Sequence, residues 1–229
     1  MTAPTVYFAG TGAQLLFSLG VAKYLKENYP STYDEDATVL TVSGGGIAAV
    51  ALLSLPLEEF DTAAARIAQL FDQLPHNPFS HFQLSAIYRH ALEVVVTEEA
   101  LQLLRQRLLI ATTQLPRRRR RIYSEPFLTV REVVEDLQAS AYIPFYFLRF
   151  PYRRHLLEID GGASRSEVDL TASLQVYVEA SPEADVFYSA KPQETLRFRA
   201  YEENMALYEA GYQRASESTV AIEAKLYGV

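Results

Sequence analysis

The run "VLTVSGGGIAAVALLSL", residues 39–55, sets the hydroxyl of Ser43 between a short apolar stretch and three consecutive glycines. A serine is well placed to act as a nucleophile on a sharp strand-to-helix turn. Such a turn lifts Oγ clear of the sheet and aims backbone N–H groups and a helix N-terminus at a developing oxyanion. In "TVSGG", Gly45 stands two residues after the serine, as the nucleophile-elbow pattern asks, while Thr41 stands where that pattern has its first glycine. The same letters also suit a plain turn or a phosphate-cradling loop, so the rest of the chain has to decide.

Other chemistries fit less well. A Ser-Asp-His triad in the usual α/β order needs a histidine after the acid, but His76, His81, His90 and His155 all precede Asp160. None of them pairs with a glutamate at the spacing of a zinc protease. "GTGAQL" lacks the third glycine of a dinucleotide fingerprint, and no glycine loop ends in Lys-Ser or Lys-Thr. Two features then stand out beside the Ser43 turn: the glycine loop "AGTG" at residues 9–12, and Asp160 in "EIDGG", where a strand runs into another glycine turn.

These sites need elements to hold them. "PTVYFA" at 4–9 predicts a strand, followed after the glycine loop by a helix that ends at Pro30. "ATVLTV" at 37–42, "SGGG" and "IAAVALLSL" repeat the plan, and two successive β-turn-α units predict a parallel sheet. No charge falls between Ala37 and Leu57, a length that could span a bilayer, yet three glycines and Pro56 favour a buried strand, turn and helix. From 57 to 115 the pattern reads as helical, including "TEEALQLLRQRLLIATTQL". The arginine run at 117–121 reads as a solvated loop, and "TVREVVEDLQASAY" as a helix with apolar positions at 130, 133, 134 and 137. "LQVYVEA" predicts a strand, and a charged, Tyr-rich helix is expected from about 194 to 217.

The whole chain sets wider bounds. At 229 residues, 49% hydrophobic and 21% charged, it is expected to form a single soluble domain over 1–229 with a helical C-terminal flank. A net charge of -7 argues against coating nucleic acid, and no RNA or DNA motif accompanies the arginine run. With no cysteine there is no disulfide framework, thiolate nucleophile or cysteine zinc site. The first residues lack the basic segment of a signal peptide, so a cytoplasmic location is the default expectation.

Three ordered stretches carry a family resemblance: "FAGTGAQLLFSLGVAKYLKENYP", "TVSGGGIAAVALL" and "IPFYFLRFPYRRHLLEIDGGAS". In order and spacing they resemble the glycine loop, nucleophile elbow and Asp-Gly-Gly motif of patatin-like phospholipases, most nearly the adipose triglyceride lipase and adiponutrin branch. "NPFSHFQLSAIYRHAL" and "YEAGYQRA" add weaker likeness. The resemblance implies an α/β fold, a three-layer α/β/α domain with a mostly parallel central sheet, and hydrolysis of lipid acyl esters by a Ser-Asp dyad. Ser43 would attack the acyl carbonyl and Asp160 would take and return the proton. Backbone N–H groups of Gly10, Thr11 and Gly12, with Gly44, would form the oxyanion hole, and Gly45 would complete the elbow. No cofactor or metal is implied. The implied partners are a phospholipid or acylglycerol and a membrane or lipid-droplet surface met peripherally; protein partners are unspecified.

Departures from the family pattern mark a second reading. Thr41 replaces the first elbow glycine, Leu15 the glycine closing the first loop, and the asparagine often found after Asp-Gly-Gly is replaced near Ser166. A β-branched Thr41 is expected to crowd the turn, with Gly44 and Gly46 relaxing it. The alternative is therefore a catalytically weak or inactive patatin-like protein that binds or regulates a lipid surface. Its electrostatic attraction would come from residues 117–121 with Arg149, Arg153 and Arg154.

Overall fold

The computed structural model describes residues 5–33, 37–74, 81–116, 119–123, 127–143, 152–153, 156–163, 170–171, 173–177, 183–189 and 197–228; of 81, 82, 152, 153, 156 and 157 only the backbone is described. Of the residues weighed above, His76, Arg149, Arg154, His155 and Ser166 lie outside this set, as do residues 117–118 of the arginine run and 144–150 of the "IPFYF" segment.

In chain order the elements are β1 (Val6–Phe8), α1 (Leu15–Asn28), α2 (Pro30–Tyr33), β2 (Val39–Thr41), α3 (Gly45–Ser54), α4 (Phe60–Asp72), α5 (His81–Val95), α6 (Ala100–Leu104), β3 (Leu108–Gln114), β4 (Arg119–Tyr123), α7 (Val130–Ser140), β5 (Tyr152–Arg153), β6 (Leu156–Asp160), β7 (Leu174–Tyr177), β8 (Val186–Phe187), α8 (Tyr201–Glu217) and α9 (Thr219–Tyr227). The result is an α/β fold with a mixed, mostly parallel central sheet flanked by helices. β1, β2, β3, β7 and β8 run parallel, and β4 and β6 pair antiparallel with β3.

Strand alternation divides the interior. Val6, Phe8 and Val39 point into the larger core with Phe17, Leu52, Ile67, Leu137 and Tyr208. Tyr7, Ala9, Leu40, Val42, Leu109 and Ala111 point to the opposite face and form a smaller cluster with Ile122, Leu170 and Tyr177. α3 is buried from Gly45 to Leu53, which is why its sequence is apolar all round rather than striped. Its length of 10 residues also accounts for the uncharged stretch 37–57: strand, turn and core helix occupy it. Among the described residues no helix is long and apolar enough to cross a membrane.

α1 and α8 cross with their backbones in contact. A Cβ on Gly20 would run into the Tyr208 carbonyl, and one on Gly211 into the Phe17 carbonyl, so both positions need glycine for this close approach. The tyrosines of the C-terminal segment supply the polar part of the joint: Tyr208 donates to Asp61, which also pairs with Lys23 at 2.7 Å, and Tyr212 donates to Glu27.

Three expectations are corrected. "TEEALQLLRQRLLIATTQL" is not one helix. α6 stops at Leu104, Gln106 takes φ 61°, and "LLIATTQ" becomes β3, the strand at the centre of the site. Apolar and β-branched residues bound to strands on both edges favour the extended chain over the helical periodicity of the same letters. Arg119–Arg121 do not form a solvated loop but part of β4, with Arg120 opposite Thr113. The last long helix begins at Tyr201, where Ala200 accompanies the turn into it, and a further helix, α9, follows Ser218.

Candidate active site

The register of β3 dictates which chain ends meet. Ile110 is flanked by Thr41 and Tyr123, and Thr112 by Arg121 and Asp160. β4 therefore runs along one edge of β3, while β2 and β6 share the other edge and arrive end to end beside Ala111. β2 arrives pointing toward Ser43, and β6 ends on Asp160. Two residues 117 positions apart in sequence are thus brought together by one strand edge.

At the end of β2 the chain turns sharply. Ser43 takes φ 55°, a left-handed conformation that costs a non-glycine residue about 1–2 kcal/mol. Several bonds hold it there. Its N–H donates to Ser140 Oγ at 2.9 Å, and its carbonyl accepts from Tyr88 Oη at 3.0 Å and from the Gly46 N–H at 3.1 Å. Ser140 in turn donates to the Ala111 carbonyl at 2.7 Å, bridging the gap between the ends of β2 and β6. Strain fixed by so many surrounding contacts is what an orienting site requires.

Glycines let other chain segments close on the turn. A Cβ on Gly45 would lie 2.7 Å from the Ala9 carbonyl, and one on Gly44 would meet Thr11 Oγ1 and come within 2.9 Å of the Gly12 carbonyl. The loop of residues 9–12 therefore lies against the elbow, with Gly12 at φ 53°. Among the described residues the N–H groups of Gly10, Thr11, Gly12 and Gly44 take no hydrogen-bond partner. Those of Gly45 and Gly46 are bonded to the Val42 and Ser43 carbonyls. Thr41 sits in β2, fully buried and paired with Phe8 and Ile110, and the cost of its side chain is a buried hydroxyl with no partner among the described residues.

The Asp160 carboxyl lies close to the Ser43 side chain. Its Oδ1 accepts the Gly162 N–H at 2.7 Å, and its backbone carbonyl accepts from Thr113 Oγ1 at 2.8 Å. Gly161 is pressed against the Ala111 carbonyl, where a Cβ would not fit. Desolvation raises the pKa of Asp160 above the ordinary carboxylate value, opposed by the nearby Ser43 side chain, the Gly162 hydrogen bond and the Arg120 charge, which help to lower it. Burial, with the Asp160 charge as a smaller cause, likewise raises the Tyr88 phenol, which therefore remains a hydrogen-bond donor.

A pocket beside Ser43, Gly44 and Gly12 is lined further by Leu15, Phe71, Leu84, Ile143 and Phe198. Leu15, a departure from the family pattern, forms part of its apolar wall. Its lining combines the Ser43 hydroxyl and the backbone of Gly12 and Gly44 with mostly apolar side chains.

A model of the patatin-like phospholipase family matches residues 6–171, which include the glycine loop, the elbow and Asp160. The chain belongs to the patatin-like phospholipase family. No curated protein sequence matches it. Among solved structures, VipD from Legionella pneumophila is similar in fold, with a TM-score of 0.51 and 11% identity over 93% of this chain. The chain spans 66% of that structure's length. For this patatin-like chain, the positions the sequence singled out, Gly10, Thr11, Gly12, Ser43, Gly44, Gly45 and Asp160, converge around one turn. Ser140 and Tyr88 hold the Ser43 turn, and Thr113 and Arg120 the turn after Asp160, but these four escaped the sequence reading, because each lies in an ordinary helix or strand far along the chain. Only the capping box that starts α7, Thr129 with Glu132, was a local signal for one of the elements that carry them.

Proposed function

We propose that this patatin-like protein is a serine acyl hydrolase that releases fatty acid from a phospholipid or acylglycerol, working peripherally at a membrane or droplet surface. The observation that carries the proposal is the convergence of Ser43, at a positive-φ turn ringed by open backbone donors, with the buried Asp160 carboxyl brought beside it by β3. In the proposed reaction Ser43 Oγ attacks the acyl carbonyl as its proton passes to Asp160. The resulting oxyanion takes up the N–H groups of the glycine loop and Gly44. Asp160 then protonates the leaving alcohol; water next attacks the acyl-enzyme, giving its proton to the same carboxylate, which passes it to Ser43 Oγ as the fatty acid leaves. A carboxylate of pKa about 3.9 is a weak base for a serine, so the burial that raises the pKa of Asp160 favours the role.

The apolar pocket suits an acyl chain, and no cofactor enters the scheme. Within the family, the quoted motifs favour the adipose triglyceride lipase and adiponutrin branch, and we treat residues 1–229 as a single domain. The test is fatty-acid release from phosphatidylcholine vesicles and trioleoylglycerol emulsions. Ser43→Ala and Asp160→Asn are expected to lower the rate at least about a thousandfold while keeping the native circular dichroism spectrum. A folded variant with the wild-type rate would refute the dyad.

A further inference from the structure

The proposed reaction leaves the arginine run unused. Its described members, in β4, go three ways. Arg119 is exposed, Arg121 stacks 4.9 Å from the ring centroid of Tyr123, and Arg120 reaches the turn after Asp160. The Nη2 of Arg120 donates to the Gly161 carbonyl at 2.9 Å, and the guanidinium lies close to the phenol of Tyr7 of β1. Arg120 and Tyr7 both lie on the side of the sheet that carries the smaller core, since Arg120 stands opposite Thr113 and shares its face of β4 with Ile122, two residues on.

The Gly161 carbonyl and the Gly162 N–H belong to one planar peptide. That N–H is the donor that holds Asp160 Oδ1 at 2.7 Å. A guanidinium bonded to the oxygen of a peptide fixes its plane and polarises it, which strengthens the hydrogen bond given by its N–H. We infer that Arg120 is a positioning residue for Asp160, acting from the opposite face of the sheet through the Gly161–Gly162 peptide. The assignment rests on Asp160 serving as the base of the proposed hydrolysis.

The charged and titratable groups that face Asp160 come from several elements: Tyr7 from β1, Tyr88 from α5 and Arg120 from β4, with Ser43 as its hydroxyl neighbour. Glu158, two residues earlier on β6, is bonded to Tyr123. Of these only Arg120 carries a positive charge. Its removal therefore raises the Asp160 pKa, so the carboxylate is lost at a higher pH as a solution is acidified.

The experiment is a carbon-13 carboxyl titration of Asp160 in the full chain, with the Gly162 amide shift followed alongside, in wild type, Arg120→Met and Arg120→Lys. Arg120→Met is expected to raise the Asp160 pKa by about one unit or more. It is also expected to move the Gly162 amide proton upfield as its hydrogen bond weakens. Arg120→Lys, which keeps the charge but loses the planar fork, is expected to fall between the two. A folded Arg120→Met protein with both signals unmoved would overturn the inference. If that variant does not fold, Arg120→Lys decides alone, a shift in the same direction supporting the inference and none refuting it.

Hydrolysis of p-nitrophenyl butyrate is read separately. An inactive wild type would count against the proposed function while leaving the titration meaningful. If wild type is active and Ser43→Ala is not, Arg120→Met is expected to lower kcat/KM about tenfold and to move its acid limb to higher pH. An unchanged rate and an unmoved limb would again overturn the role of Arg120.

Discussion

A Cβ placed on Gly45, behind Ser43, would lie 2.7 to 2.9 Å from the Ala9 carbonyl, the Phe8 carbonyl and Phe8 Cβ, whereas one on Gly162, beside Asp160, would meet the Asp160 carboxylate at 3.0 Å and, among the described residues, then only Val42 at 3.9 Å. The nucleophile turn is clamped by packed backbone and carries a strained residue at its tip. Among the described residues only Gly161 is packed in that way at the acid turn; the carboxylate is placed by the hydrogen bond from the Gly162 N–H and the Asp160 backbone by that from Thr113. Packed backbone cannot yield without moving strands, while a hydrogen-bonded turn can shift by tenths of an ångström. The site thus joins a rigid half that holds the nucleophile to a softer half that tunes the base.

The contrast predicts unequal costs for the same change. Gly45→Ala is expected to lose about 3 kcal/mol of stability in chemical denaturation, and Gly162→Ala less than about 1 kcal/mol. Equal losses would break the distinction. Ser140→Ala is next in size, since it strands the Ser43 N–H and the Ala111 carbonyl inside the protein. A loss of about 2 kcal/mol is expected, with a fall in esterase rate that a surface serine substitution would not reproduce. Ser43→Gly is expected to be more stable than Ser43→Ala by about 1 kcal/mol, because only glycine takes φ 55° without strain. Equal stability of the two would mean that the turn is unstrained.

The smallest effect concerns pH. The folded protein raises the Asp160 pKa above its unfolded value, so the native state binds that proton more tightly. The contribution of Asp160 to stability therefore falls as pH rises through the interval between the two values. Asp160→Asn can still accept the Gly162 hydrogen bond but carries no desolvated charge. It is expected to melt higher than wild type at neutral pH, the gap closing as the solution is taken below the ordinary carboxylate range. A gap that widens on acidification would contradict the desolvation account.

The parts legible in the sequence are the local ones. Ser43 with its glycines, the loop at 9–12 and Asp160 at a strand end each announce a turn within a few residues, and the apolar spacing of 130, 133, 134 and 137 announces α7. What the letters did not disclose depends on contacts between distant segments. "LLIATTQ" is a strand because β2, β4 and β6 bond to it, not because of its own periodicity. Ser140 and Tyr88 look like ordinary helix residues until tertiary packing brings them 97 and 45 positions back to Ser43. Arg120 is one of five identical letters, and only the pairing of β4 with β3 separates it from its neighbours. Thr41 departs from a family pattern, yet the strand around it accommodates the side chain.

The most direct measurement of the central claim is the rate at which a fluorophosphonate probe modifies the protein, with the adduct located by mass spectrometry. Wild type is expected to form a single adduct on Ser43, and folded Asp160→Asn to form it at least about a hundredfold more slowly, since the hydroxyl then lacks its base. No adduct on Ser43 in wild type, or equal rates in the two proteins, would contradict the Ser43–Asp160 account.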